Sequence, residues 1–317
     1  MLSRVADSLY WMGRYMERID GTLRLLQINY ALSQDNISDF SWESVLSIFP
    51  QYKNDDFTEI EDSRQVLKYM ILDKDNPNSL FNMITFAREN ARSVQDHITK
   101  ELWQCLNDFY HAIRNDILAQ KIMREDPISL LNDLEKFCLI YYGIIDSTLP
   151  RGVGYNFLAI GKMIERSMQM MNILSVNFIE NDSDLSKINS IFWKHLLLSI
   201  SGYEMYLKTY RSAFNYHNVF DLIVLNPSFP RSLFFSINHL YNYFKRLKEE
   251  SVSENYLKME FKIGKLKNFI IYTSSKDLEE QTLCSFIIHV KTELNDIGNQ
   301  LNDYYFAYLK YTSNAKI

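Results

Sequence analysis

Two Glu-Arg dipeptides are the residues of this chain best placed to do chemistry. Glu17-Arg18 lies in "GRYMER" at 13–18, and Glu165-Arg166 lies in "GKMIER" at 161–166. On a helix, residues three apart share a face, so Arg14 stands beside Glu17 and Lys162 beside Glu165. Both segments are apolar around much of their circumference, which predicts that these charges sit partly buried. A buried charge without a partner costs several kcal/mol. Three uses of the cluster follow. Glu17 meets Arg166 while Glu165 meets Arg18, as a reciprocal structural ion-pair cluster on a pseudo-two-fold axis. Or the cluster lines a cleft and holds a carboxylate, a phosphate or a peptide, which planar guanidinium groups suit. Or Glu17 or Glu165 acts as a general base on a peptide or small amide, its pKa raised by burial. Gly13 and Gly161 fit each use, because a missing side chain lets a backbone or a ligand approach closely.

Other residues offer lesser chemistry. In "ARENAR" at 87–92, Arg88 and Arg92 share a helical face with Glu89 and Asn90 alongside. Two such guanidinium groups need an acidic partner, with Glu17 one candidate, or an anion between them. Arg231 follows the turn "LNPSFP" and has the same two uses. Tyr10 falls on the Gly13-Glu17-Gly21 face. With Trp11 and Tyr15 it lines either the core or a peptide groove.

Well-defined chemistries are missing. None of the six histidines has a glutamate three residues before it, so no di-iron carboxylate pattern is present. There is no HExxH or clustered Cys/His zinc spacing, no GxxxxGK[ST] phosphate loop and no GxSxG elbow. "GVG" at 152–154 is a lone turn signal. No metal or cofactor is expected. The net charge of -5 lacks the basic footprint of a nucleic-acid binder. Three widely spaced cysteines, no leader pattern and no run of about 18 apolar residues predict a cytoplasmic protein without a membrane span.

Helices must position these groups. The 317 residues are 47% hydrophobic and contain only 9 Gly and 6 Pro, which leaves room for long helices. Ser3 is the expected cap of a first helix, with Val5, Leu9, Met12, Met16, Ile19, Leu23 and Leu26 as its apolar stripe. Further helical patterns cover 41–49, 63–72, 80–98, 100–113, 127–145, 157–177, 191–211, 233–250, 257–272 and 278–311. Three anchors also recur in order: the Glu-Arg segments at an offset of 148, Trp42 and Trp193 at 151, and Ser-Leu-Phe at 79–81 and 232–234 at 153. Their collinearity predicts an internal duplication. The expected architecture is an all-α compact bundle of two related halves, 1–150 and 151–317, packed as one body.

With these segments in view, the chain resembles the bacterial alpha-E family of helical proteins with a Glu-Arg motif. "MLSRVADSLYWMGRYMERID" is similar to its opening, "FARENARSVQDHITKELWQCLN" to its second signature, and "GYNFLAIGKMIER" to its mid-chain Glu-Arg repeat. "FPRSLFFSINHL" and "LNDYYF" fit its C-terminal part. Lys162 stands where the family usually has arginine, which keeps a cation but loses the fork. The resemblance implies no established activity. It implies a neighbour, since family members are typically encoded beside or fused to a circularly permuted ATP-grasp protein. The chain is therefore expected to be an accessory or binding partner of an amide or peptide ligase. The alternatives are the peptide- or amide-directed enzyme and a purely structural helical scaffold.

Overall fold

A computed structural model describes residues 2–34, 41–49, 62–180, 190–248, 253–274 and 280–306. It is all-α, and no strand occurs among the described residues. The first half contains α1 (Ser3–Gln34), α2 (Trp42–Leu46), α3 (Ser63–Leu72), α4 (Leu80–Ser93), α5 (Lys100–Ile113), α6 (Ile117–Arg124) and α7 (Pro127–Thr148). The second contains α8 (Val153–Ser175), α9 (Ser190–Ser199), α10 (Tyr203–Tyr210), α11 (Tyr216–Phe220), α12 (Leu233–Lys245), α13 (Glu254–Ile271) and α14 (Glu280–Leu301). Wide turns of π-helix follow α8, α11 and α14.

The centre of the molecule is α1 against α8. Contacts advance together along both, from Gly13–Leu158 and Tyr10–Gly161 to Gln169–Arg18, so the two helices run parallel. The glycines explain the closeness. A Cβ on Gly13 would overlap the Leu158 carbonyl oxygen, and a Cβ on Gly161 would overlap that of Tyr10. Gly21 likewise leaves room for the Gln169 carboxamide. Both helices are therefore buried on nearly every side, with Met12, Met16 and Ile19 in α1 and Ile160, Ile164 and Met171 in α8 all closed to solvent.

The packing around this pair repeats. Helix α4 lies on α1 and α5 on α4; α12 lies on α8 and α13 on α12. Helices α7 and α14 then close against α1 and α8 respectively. The caps of α4 and α12 match: the Ser79 hydroxyl accepts from the Asn82 backbone N–H at 3.3 Å and that of Ser232 from Phe235 at 3.0 Å. Trp42 and Trp193 are both buried.

Some boundaries differ from the sequence pattern. Helix α1 already includes Ser3, and the Leu2 carbonyl accepts the first backbone bonds, so Ser3 is not the cap. The pattern over 191–211 breaks after Ser199, where Ser201 takes a left-handed conformation (φ 57°) ahead of Gly202. Helix α8 begins at Val153, inside the expected turn, and α6 and α11 are short helices absent from the pattern. Residues 1, 35–40, 50–61, 181–189, 249–252, 275–279 and 307–317 lie outside the described set, so parts of the expected patterns over 233–250 and 278–311 fall there.

Candidate functional site

The parallel, in-register packing of α1 and α8 puts each glutamate opposite the other helix's arginine. The Arg166 guanidinium forks onto Glu17, donating from Nε to Oε1 at 2.6 Å and from Nη2 to Oε2 at 2.9 Å. Arg18 forks onto Glu165, from Nε to Oε1 at 2.6 Å and from Nη2 to Oε2 at 3.0 Å. The pairing is thus reciprocal across the helices, with the bidentate geometry that gives charged pairs their strength.

Beyond that shared fork the two ends diverge. Glu17 has no exposed surface. Its Oε2 also accepts from the Tyr142 hydroxyl at 2.6 Å, and Arg231 Nη1 lies 3.9 Å from Oε1. One helical turn on, buried Asp20 binds Arg231 Nη2 at 2.5 Å and Arg24 Nη2 at 3.1 Å, while Arg24 Nη1 reaches Glu135 at 2.8 Å. The last Arg166 nitrogen donates to the Pro230 carbonyl at 2.9 Å. Lys162 closes no ion pair among the described residues; its ammonium rests 3.9 Å from the centre of the Tyr142 ring. Burial, then the neighbouring Arg166 charge, pulls the Lys162 amine down to about 8.

At the other end, Arg14 supplies the second guanidinium, donating from Nε to Glu165 Oε2 at 2.8 Å and from Nη1 to the Tyr10 hydroxyl at 3.2 Å. Glu165, Arg14 and Arg18 line a cleft of about 420 Å³ together with Gln169, Asn172, Lys291 and Asn295. A second cleft of about 290 Å³ continues along α14 past Tyr10, Trp11, Asn299 and Asn302, and it shares Arg14, Met168 and Asn295 with the first. Arg14 Nη2 and Arg18 Nη1 take no partner among the described residues, so two guanidinium edges remain for whatever occupies the cleft.

Both carboxylates titrate low. Burial alone would raise them, but Arg166 holds Glu17 at about 2, and Arg18 with Arg14 holds Glu165 at about 2. A general base working near neutrality needs the opposite shift, so this geometry weighs against either glutamate in that role.

The remaining candidates separate. Arg88, Glu89 and Arg92 form a local network on α4 and, like Asn90, whose carboxamide donates to the Phe86 carbonyl at 2.9 Å, do not join the Glu-Arg cluster. Arg88 bonds Asn107 at 2.8 Å and Glu89 at 3.1 Å and lies over the Trp103 and Tyr110 rings; Arg92 pairs with Glu89 at 2.5 Å. Their acidic partner is Glu89 beside them and not Glu17, because Arg166 and Tyr142 already occupy that carboxylate. Tyr10, Gly13, Arg14, Glu17, Arg18, Gly161, Lys162, Glu165, Arg166 and Arg231 do come together. Sequence reasoning missed Asp20, whose signal was its place one turn after Glu17. Arg24 stands four residues after Asp20 on the same helical face, a spacing that suits an ion pair, whereas Tyr142 carries no local signal. Nor does the sequence distinguish the stripe Lys291-Asn295-Asn299-Asn302, which runs along α14 into the π-helical turn after it, because its spacing of four, four and three is equally that of a solvated face.

A family model described as "a predicted alpha-helical domain with a conserved ER motif" matches residues 1–306. The chain belongs to the Alpha-E family. In this Alpha-E chain the Glu-Arg motif occurs twice, and the two copies face each other through the forks just described. Among curated proteins it is similar to an uncharacterised protein of Mycobacterium bovis, 21% identical over 327 residues, covering 94% of this chain and 36% of the relative. Two uncharacterised Mycobacterium tuberculosis proteins match at 21% and 20% identity with the same coverage. The chain thus spans about a third of the length of these relatives. No solved structure matches. No described helix is long and apolar enough to cross a membrane.

Proposed function

We propose that this Alpha-E chain is a non-catalytic binding subunit that works with an ATP-grasp amide or peptide ligase. It holds an anionic group of its ligand at the Arg14-Arg18-Lys291 end of the cleft. The observation that carries this reading is the difference in closure between the two Glu-Arg pairs. Glu17 is sealed among its partners, whereas Glu165 gathers two guanidinium groups on the wall of an open cleft and leaves an edge of each unspent. With Lys291, that wall carries three cations against one carboxylate.

The ligase partnership is supported by membership of Alpha-E. In the relatives the matching region is about a third of a longer chain. The repeated packing of α4 on α1 and α12 on α8 supports an origin of 1–150 and 151–317 by duplication, and the free thiols of Cys105, Cys138 and Cys284 suit the cytoplasm. The test is to co-purify the chain with an ATP-grasp protein of the kind that the family resemblance implies as its partner, and to look for a new amide product. Complex formation with turnover that falls at least tenfold in Lys291→Gln is the expected result. Absence of a complex, or turnover untouched by the variant, contradicts the reading.

A further inference from the structure

The cleft has a direction. Helix α14 runs antiparallel to α1, with Gly298 beside the Tyr10 hydroxyl and Lys291 at the Arg18 end. Along it and into the π-helical turn that follows, Lys291, Asn295, Asn299 and Asn302 line the cleft in order. One end of the cleft is therefore cationic. The other is made of carboxamides and of the rings of Tyr10 and Trp11.

The three asparagine side chains make no hydrogen bond with other described residues and stand exposed along the cleft. A carboxamide both donates and accepts, and can bond a peptide N–H and C=O together. Residues four apart on a helix rise about 6 Å, and an extended peptide presents the same edge every two residues, about 6.6–6.8 Å. The stretch from Lys291 to Asn302 rises about 16 Å, the span of about five extended residues.

We infer that the cleft takes an extended peptide with a free C-terminal carboxylate. Its main chain lies along Asn295, Asn299 and Asn302, and its carboxylate sits among Arg14, Arg18 and Lys291. The charge of the wall sets the polarity, and the carboxamide stripe sets the register. Side chains of the peptide alternate between Trp11 and solvent, so recognition is of main chain and terminus more than of sequence. This rests on the anion-binding reading above.

The experiment is calorimetric titration of the full chain with an N-acetylated five-residue alanine-glycine peptide, as the free acid and as the C-terminal amide, with citrate as a small-anion control. Lys291→Gln and Asn299→Ala are compared with the parent, since both alter exposed or half-buried side chains outside the core. The expected result is that the acid binds at least tenfold more tightly than the amide. Lys291→Gln should weaken the acid alone, and Asn299→Ala should weaken both. Equal binding of acid and amide overturns the polarity. Citrate binding as tightly as the peptide, with no effect of Asn299→Ala, overturns the peptide while leaving the anion site. Failure of all three ligands overturns the anion-binding reading itself.

Discussion

Glu17 and Glu165 have the same sequence neighbourhood and end in different situations. Each accepts a forked arginine from the opposite helix, at 2.6 and 2.9 Å for Glu17 and at 2.6 and 3.0 Å for Glu165. What differs is the second cation. Arg14 reaches Glu165, while Lys162, in the matching position, turns onto the Tyr142 ring and leaves Tyr142 and Arg231 to complete Glu17. The Glu17 end is then built entirely of the protein's own groups, wedged under α7 and the turn before α12. The Glu165 end is flanked by α14, whose polar face stands off and leaves the cleft. A shared motif thus serves once as a sealed fastener and once as part of the wall of an open cleft.

The largest way to break this comparison is to remove the arginines one at a time. Arg166→Met strips Glu17 of its fork where no water replaces it and should cost about 3–5 kcal/mol in urea unfolding. Arg18→Met leaves Glu165 with Arg14 and with solvent at hand, and should cost about 1–2 kcal/mol. Equal losses would remove the distinction between the two ends.

The glycines test what the ends share. Gly13→Ala and Gly161→Ala each push a Cβ into a carbonyl of the opposite helix and should lower stability by about 1–3 kcal/mol, in similar measure, in thermal unfolding. A large loss for one alone would mean that the close approach is not reciprocal.

Acid separates paired from unpaired carboxylates. Both glutamates are held at about 2, below the 4.5 of an unfolded chain, so their stabilisation is complete above about pH 4.5 and is lost as the pH falls towards 2. Unfolding midpoints between pH 5 and 2 should show this decline, and Arg166→Met should reduce it, because Glu17 would no longer titrate low.

The smallest effect concerns Lys162. Its folded value of about 8 lies below the 10.5 of an unfolded lysine, so its charge is a penalty below pH 8 that fades as the pH rises to 10.5. Lys162→Met should remove this contribution to the rise in stability, whereas an unchanged pH profile would show that the amine is solvated.

The sequence revealed much of the frame and little of the site. Long α1 and α8 are plain from their apolar steps and scarce glycines. The in-register pairing of Glu17 with Arg166 and of Glu165 with Arg18 followed from two matching segments that must bury their charges. Tyr142 gave no sign, because nothing local distinguishes a tyrosine that will meet a carboxylate 125 residues away. The cleft gave none either. Lys291, Asn295, Asn299 and Asn302 are ordinary surface residues until α14 is laid beside α1, and only that placement turns a solvated stripe into a wall. The Arg88-Arg92 pair misled for the converse reason: it finds its acid one residue or three away, on the same helix.

The most direct test of the central claim is a crystal structure of the full chain soaked with citrate, with the difference density read at both Glu-Arg ends. The expected result is a bound carboxylate on Arg14, Arg18 and Lys291, and an undisturbed Glu17-Arg166-Tyr142 cluster. An empty cleft, or citrate displacing Glu17 from Arg166, would contradict it.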